Sequence, residues 1–173
     1  MVSNTFHLHL KALSLLNFSN LTLLIKCYFM FIEESLKEKA KFYFNLPKPH
    51  MEQAVGIEFE HISKDKMVAT MPVNETTVQP FRVLHGGASV VLAETLASVG
   101  TWFSLDGNDK TVVGVEINAN HIRSVKEGGF VRGISTPVKK GSRIHVWETR
   151  IEDETGKLVC VSRCTMAIVK MKK

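Results

Sequence analysis

Residues 79–98 read QPFRVLHGGASVVLAETLAS, an apolar stretch that begins a long helix after His85-Gly86-Gly87. We predict this helix over residues 86–105, because a polar run at residues 106–109 then ends it. Glu94 is its single charged residue. A helix on a protein surface shows a polar face with several charges, so this helix is predicted to be enclosed almost all round.

Short β-rich runs precede and follow the helix. Two lie before it and four after it, joined by short polar or glycine-containing links, at residues 56–63, 66–71, 111–123, 129–138, 143–152 and 157–169. The first two runs are predicted to form a hairpin, and the four runs after the helix an antiparallel meander, because consecutive strands with such short links pair with one another. We therefore predict an α+β fold, in which an antiparallel sheet of five to six strands wraps around one long central helix.

The composition narrows the range of partners and cofactors. The 173 residues suit one domain, and the formal charge of +5 favours anionic partners. No stripe of Arg and Lys is interleaved with aromatic residues, which argues against nucleic acid. The seven histidines show no metal-ligand spacing, so we predict no metal and no cofactor.

The cysteines predict a reducing compartment. Cys160 and Cys164 lie in one strand-like run, where four residues separate them by about 13 Å. This distance is too long for a disulfide. We therefore expect a cytoplasmic protein.

Residues 1–50 are predicted to be an N-terminal extension of a domain at residues 51–173. Residues 15–32 are apolar enough to suggest a signal or a membrane anchor, but Lys26 and several polar residues argue against a span of about 20 apolar residues. A non-native or poorly packed extension is weighed slightly above membrane attachment. Residues 31–44 have charge pairs at helical spacing, which predicts an amphipathic helix.

Glu94 is the first candidate functional residue. Its neighbours one helical turn away are small or apolar, namely Val90, Val91, Ala97 and Ser98. Burying an unpaired carboxylate is costly, and a protein tolerates it through a partner from elsewhere or a functional need. The structural alternative is pairing with Arg123 or Arg143. We favour a functional carboxylate.

The His85-Gly86-Gly87 run supplies complementary chemistry. A helix N-terminus leaves backbone N–H groups unpaired, and glycine lets a substrate approach them closely. Such a turn can stabilise a carbonyl oxygen that gains negative charge, although it can equally be a tight turn into a packed helix. Gly86 and Glu94 are about 12 Å apart along the helix. One carbonyl group cannot contact both, so a shared site needs two copies of the chain in a two-fold dimer.

Three sequence segments together resemble a known family. They read MPVNETTVQPFRVLHGGASVVLAETLASVG (71–100), VVGVEINANHIRSVKEG (112–128) and GSRIHVWETRIEDETGKLVCVSR (141–163). Residues 55–169 thereby resemble the hotdog-fold acyl-CoA thioesterases of the PaaI type. Within that family the resemblance is greatest to the branch that acts in menaquinone biosynthesis and in enterobactin proofreading. Arg82 departs from the family pattern, which has glycine at this place.

The resemblance implies a set of catalytic roles. Glu94 would be the nucleophile or general base, and the Gly86 N–H would polarise the thioester carbonyl. Gln79 would help to position the reacting groups, although alone it reads as a solvent-facing loop residue. His85 would lie beside the thioester and the leaving thiolate.

Substrate-binding roles are expected for a second set of residues: Gly87, Ser98, His121, Arg123 and Phe81. Each also has a structural interpretation. Ser98 can be a small packing residue, His121 can finish the edge of a core, and Arg123 can belong to a solvated rim. The resemblance places Ser98 and His121 at the acyl pocket.

The predicted function is hydrolysis of acyl-CoA thioesters, aromatic ones in particular, to a free acid and CoA. Family members share each active site across a homodimer and commonly form tetramers as dimers of dimers. The alternative is a non-catalytic acyl-CoA binding or regulatory protein with the same fold. It would bind acyl-CoA without releasing a thiol.

Overall fold

The computed structural model describes residues 30–107 and 109–171. Of the apolar run at residues 15–32, residues 15–29 lie outside the described residues. The elements follow one another as β1 Phe31–Ile32, a 3₁₀ turn Glu34–Leu36, α1 Lys37–Phe44, α2 Met51–Ala54, β2 Glu58–Ile62, β3 Met67–Pro72, α3 Gly86–Phe103, β4 Lys110–His121, β5 Phe130–Lys140, β6 Ile144–Asp153 and β7 Leu158–Lys170. The predicted α+β fold with one long helix is confirmed, and the predicted strands agree to within about two residues.

Among the described residues the strands form one seven-stranded sheet in the order β1-β2-β3-β5-β6-β7-β4. It exceeds the five to six strands predicted because the two-residue β1 adds to its edge. In this order, each strand from β2 onwards pairs antiparallel with the next one. Strand β4 follows α3 in the chain but pairs with β7 at the end of the sheet, so the predicted meander is wrong for β4, which does not neighbour β5. The 12-residue β4 is therefore an edge strand in the described chain.

Helix α3 packs one face against the sheet. Leu92, Leu96 and Phe103 are fully buried on this face, and the Trp147 indole N–H donates to Thr101 Oγ1 at 2.8 Å. Each buried large apolar side chain contributes about 1.5–3 kcal/mol. The opposite stripe is half-buried and consists of Val91, Glu94, Thr95, Ser98 and Trp102. Within the described residues, the enclosure expected almost all round is thus incomplete.

The segment before β2 differs from the prediction of one helix over residues 31–44. The helix begins at Lys37, because residues 31–33 are extended and the Glu33 N–H donates to the Ile62 carbonyl oxygen at 2.9 Å. The Lys39 ammonium group donates to the carbonyl oxygens of Trp102 and Leu105, both at 2.7 Å. These bonds fix α1 to the C-terminal end of α3. Residues 32–50, which the sequence placed in an extension, lie in the compact unit Ile32–Lys173.

Three features bear on compartment and cofactors. No helix among the described residues has the length and hydropathy that a membrane crossing requires. Cys160 and Cys164 are buried free thiols, and burial raises the pKa of Cys164 to about 12. Within residues 30–107 and 109–171, no three His, Cys, Asp or Glu side chains are grouped as metal ligands. The cytoplasmic location stays a prediction.

Candidate active site

The first turn of α3 leaves one backbone N–H group open. His85 caps the helix, because its Nδ1 atom accepts a hydrogen bond from the Gly87 N–H at 2.8 Å. The N–H groups of Ala88 and Ser89 donate to the His85 carbonyl oxygen at 3.0 and 3.3 Å. Within the described residues the Gly86 N–H has no acceptor. It is the donor that the helix start offers to a substrate oxygen.

Gln79 lies in a tight turn that leads to α3. Its carbonyl oxygen accepts from the Arg82 N–H at 2.8 Å, and its own N–H donates to the Val83 carbonyl oxygen at 2.9 Å. Its side-chain Oε1 accepts from the Phe81 N–H at 2.5 Å. The Nε2 amino group donates to no acceptor within the described residues, so it can donate to a water or a carboxylate.

A cavity of about 370 Å³ is lined by this turn, the start of α3 and the end of β4. We call it the Gly86 cavity, and it includes four residues singled out from the sequence: Gln79, Gly86, His121 and Arg123. The imidazole of His121 lies over Gly86, since a Cβ atom on Gly86 would be 2.8 Å from the His121 Nε2 atom. This close approach explains the need for glycine at the first helical position.

Glu94 and Ser98 line a second, larger cavity of about 540 Å³, the Glu94 cavity. Among the described residues, the Glu94 carboxylate accepts no hydrogen bond and forms no ion pair. The structural alternative, pairing with Arg123 or Arg143, is therefore not found in this part of the chain. A carboxylate held without a partner in a largely apolar cavity is a candidate nucleophile or base.

The Glu94 carboxylate contacts the backbone of β4 at Gly114. A Cβ atom at this position would overlap Glu94 Oε1. The β4–β7 register shifts between Gly114 and Glu116, which makes Val115 the extra residue of a β-bulge. Bulges bend a strand and are frequent beside active sites. Here the bulge follows the residue that contacts the carboxylate.

This bulge corrects one prediction about β4. The sequence placed Val113, Val115, Ile117, Ala119 and His121 on one face by simple alternation. In the structure Gly114 faces Glu94 before the bulge, whereas His121 faces Gly86 after it. Both contacts are with α3, although the two positions differ in parity. The extra residue shifts the alternation by one, so the predicted common face is wrong.

Comparison with known proteins decides the family. Residues 81–160 match the thioesterase superfamily. The 1,4-dihydroxy-2-naphthoyl-CoA hydrolase of Escherichia coli (strain K12) is 56% identical over 115 residues, which cover 66% of this chain and 83% of that protein. The enzyme of the same name from Listeria monocytogenes (strain 10403S) is 46% identical over 123 residues, covering 71% and 98%. The chain belongs to the thioesterase superfamily.

A solved structure agrees with this assignment. The crystal structure of thioesterase HI1161 from Haemophilus influenzae has a TM-score of 0.70 and 39% sequence identity to this thioesterase. The match covers 84% of this chain and 97% of that one. The predicted hotdog fold is thereby confirmed. The predicted activity, an enzyme that hydrolyses acyl-CoA thioesters, is confirmed at the level of the reaction.

One wall of the Glu94 cavity in this thioesterase was not predicted from the sequence. Six lining residues come from α1, α2 and their connection: Phe42, Tyr43, Leu46, His50, Met51 and Glu52. The Tyr43 hydroxyl donates a hydrogen bond to the Glu52 carboxylate. Burial and the adjacent Glu52 both raise the pKa of Tyr43, burial having the larger effect. The aromatic run at residues 42–44 was the available signal, but nothing local connects it to Glu94.

Within one thioesterase chain the predicted residues fall into two separate groups. Gln79, Gly86, His121 and Arg123 line the Gly86 cavity, and Glu94 and Ser98 line the other. Neither cavity contains both the open N–H group and the carboxylate. Their eight-residue separation along α3 corresponds to about 12 Å.

Three further predicted residues line neither cavity. His85 and Gly87 form the cap that flanks Gly86, as described above. Phe81 lies at the tip of the turn with 87% of its surface exposed. Its contact with a substrate stays a prediction.

Proposed function

We propose that this thioesterase hydrolyses aromatic acyl-CoA thioesters, with Glu94 as nucleophile or general base. The observation that carries the proposal is the Glu94 carboxylate without a partner among the described residues, in a cavity of about 540 Å³. Phe42, Tyr43 and Trp102 give this cavity aromatic walls. The E. coli and Listeria relatives are named for 1,4-dihydroxy-2-naphthoyl-CoA, which is an aromatic thioester.

The chemistry follows from the two open groups. The Glu94 carboxylate attacks the thioester carbonyl carbon directly or removes a proton from an attacking water. The carbonyl oxygen gains negative charge and accepts a hydrogen bond from the Gly86 N–H. The C–S bond then breaks, the CoA thiolate takes up a proton, and water supplies the oxygen of the free acid. In the same proposal, the Gln79 Nε2 amino group orients the water or the carboxylate.

We further propose a homodimer in which each site combines the Gly86 cavity of one chain with the Glu94 cavity of its partner. The separation of about 12 Å along α3 requires this if both groups act on one carbonyl. The β4 edge supports it, because Val113 and Val115 are 46% and 59% exposed there. Two copies that pair at β4 would satisfy both edges. A tetramer built as a dimer of dimers is the larger assembly proposed.

The CoA moiety is proposed to enter from the Gly86 side. Arg123 lines the Gly86 cavity, and Lys126 is exposed shortly after it in the chain. Two cations on this side match the phosphates of CoA. A cytoplasmic location and a role in menaquinone synthesis belong to the same proposal.

Release of free thiol from a panel of aromatic and aliphatic acyl-CoAs tests the function. The wild type should favour aromatic members, and Glu94→Gln should lower kcat by about 10²–10⁴-fold. Glu75→Gln is the matched control, because Glu75 is exposed and lies outside both cavities. Near-normal turnover by Glu94→Gln would refute the role of Glu94. Stoichiometric binding by the wild type without thiol release would favour the acyl-CoA binding protein.

A further inference from the structure

The Glu94 cavity contains a polar pair at the end away from Glu94. Glu94, Ser98 and Trp102 succeed one another at one-turn intervals along α3, which spans about 12 Å. The Tyr43 ring lies at the Trp102 end, with ring centroids 5.9 Å apart, and 5.8 Å from Phe103. Its hydroxyl donates to Glu52. An acyl group with its thioester at Glu94 would therefore extend towards Tyr43 and Glu52.

We propose that Tyr43 and Glu52 form a hydrogen-bonding subsite, which selects acyl rings with a hydroxyl group remote from the thioester. The inference rests on the proposed aromatic thioesterase function and names the chemistry that its pocket prefers. It assigns a specificity role to residues of α1 and α2, outside the segment 81–160 that matches the family.

The subsite has one open hydrogen-bond acceptor. The Glu52 side chain is 14% exposed, and its Oε1 atom accepts the Tyr43 hydroxyl. Its Oε2 atom lies 3.8 Å from His50 Nδ1 and accepts no hydrogen bond within the described residues. A hydroxyl on the substrate ring can donate to Oε2. A ring without a hydroxyl leaves this largely buried carboxylate oxygen desolvated and without a hydrogen-bond donor, which is costly.

The position of Tyr43 and Glu52 is fixed relative to α3, the helix that carries Glu94. Lys39 bonds α1 to the last carbonyl groups of α3, and its ammonium lies 4.5 Å from the centroid of the Trp102 ring. Tyr43 also packs edge-on against Phe59 of β2, with centroids 6.3 Å apart. Because these contacts hold the phenol in place, the subsite can discriminate between rings of similar size.

A structural role is the competing explanation, since the Tyr43–Glu52 bond also links α1 to α2. The two explanations differ in which substrates are affected. A structural link would change the turnover of all substrates together. A subsite would lower the rate for hydroxylated rings much more than the rate for unsubstituted rings.

The test compares kcat/KM for two matched substrate pairs, benzoyl-CoA with 4-hydroxybenzoyl-CoA and 2-naphthoyl-CoA with 6-hydroxy-2-naphthoyl-CoA. We expect the wild type to favour the hydroxylated member of at least one pair by about tenfold. Glu52→Gln replaces the Oε2 acceptor by a donor, and Tyr43→Phe removes the hydroxyl that fixes Glu52. Both variants should bring this ratio within about twofold, chiefly through a lower kcat/KM for the hydroxylated member.

Glu38→Gln is the matched control, because Glu38 is an exposed carboxylate of α1 outside the cavity. It should keep the wild-type ratio. An unchanged ratio in both Tyr43→Phe and Glu52→Gln, or an equal loss for both substrates, would overturn the subsite. Wild-type turnover of aromatic thioesters with no preference for a hydroxyl would overturn it too, and would leave the proposed function standing. Absence of aromatic turnover in the wild type would refute the proposed function itself.

Discussion

The carboxylate of Glu94 lies directly against the backbone of Gly114, so that a side chain at position 114 would overlap Oε1. Gly114 is followed by the bulge at Val115, and the strand changes direction beside the carboxylate. The glycine and the bulge together give Glu94 its place without any hydrogen bond to hold it in the described chain. The residue at position 114 should therefore affect the reaction rate through the position of the carboxylate, although glycine has no side chain.

Gly114→Ala should lower kcat by about 10–100-fold, because a displacement of roughly 1 Å at the reacting group is enough to cost this much. The added methyl group should displace the Glu94 carboxylate and leave the backbone of β4 in place. Thermal unfolding should show that the variant is folded. A double-mutant cycle with Glu94→Asp provides the control, since the shorter side chain should make the two effects non-additive. Full activity of Gly114→Ala would contradict the contact.

Gly86→Ala and Gly86→Pro separate the N–H group from the space above it. Both add a Cβ atom that displaces His121, but only proline removes the N–H. Proline is tolerated at the first helical position, and His85 has the extended ψ of 134° that precedes proline well. In steady-state kinetics, kcat should therefore fall about 10²–10³-fold further in Gly86→Pro than in Gly86→Ala. Equal losses in the two folded variants would remove the Gly86 N–H from the mechanism.

Mixing Glu94→Ala with Gly86→Pro subunits should restore activity if each site is shared by two chains. A mixed dimer has one site with both intact groups and one with neither. Random exchange should therefore restore roughly a quarter of the wild-type activity. Labelled subunits show whether mixed dimers have formed. Verified mixed dimers without activity would refute the shared site.

Val115→Lys should dissociate the proposed dimer, because a lysine on an edge strand opposes pairing with another strand. We expect a lower molecular mass in analytical ultracentrifugation and a loss of thiol release that higher protein concentration partly restores. Val138→Lys is the matched control, since Val138 on β5 is 57% exposed and Val115 is 59% exposed. A monomeric Val115→Lys variant with full activity would show that one chain suffices.

The Arg82→Gly variant should be more stable to unfolding than the Arg82→Ala variant. Arg82 has a φ of 59°, in the left-handed region, where a residue with a Cβ atom costs about 1–2 kcal/mol. Its guanidinium forms a two-point ion pair with Glu127, in which Nε donates to Oε2 at 2.7 Å. Because the pair is exposed, it contributes about 0–1 kcal/mol. Both substitutions lose the pair, but only glycine relieves the backbone.

Urea unfolding measures the difference between these two variants. Arg82→Gly should exceed Arg82→Ala by about 1 kcal/mol in the free energy of unfolding, the reverse of the usual order of the two residues. Glu127→Gln serves as the control, since it removes the ion pair and keeps the backbone of the turn. Higher stability of Arg82→Ala would contradict the left-handed conformation. Arg82, where the family pattern has glycine, thus holds a left-handed backbone conformation in the turn that contains Gln79.

Local patterns were sufficient to predict the long helix α3 and the six strands β2 to β7 of this protein. The single charge of Glu94 in an apolar helix and the His85-Gly86-Gly87 start are both visible in the sequence. Their separation is fixed by the helical rise, so the need for two copies could also be argued from the sequence. These features depend on residues within a few positions of each other, where periodicity and capping rules apply.

The tertiary structure decided what depends on hydrogen bonds and packing between distant segments. The bulge at Val115 arises from the pairing of β4 with β7, and no local signal announces the resulting contact of Gly114 with Glu94. The extended start of the N-terminal segment follows from pairing with β2, although its own sequence favours a helix. Lys39 then fixes this segment at the end of α3, which brings Tyr43 and Glu52 into the Glu94 cavity. Sequence singled out the candidate catalytic groups, whereas contacts between remote parts of the chain determined where each group lies.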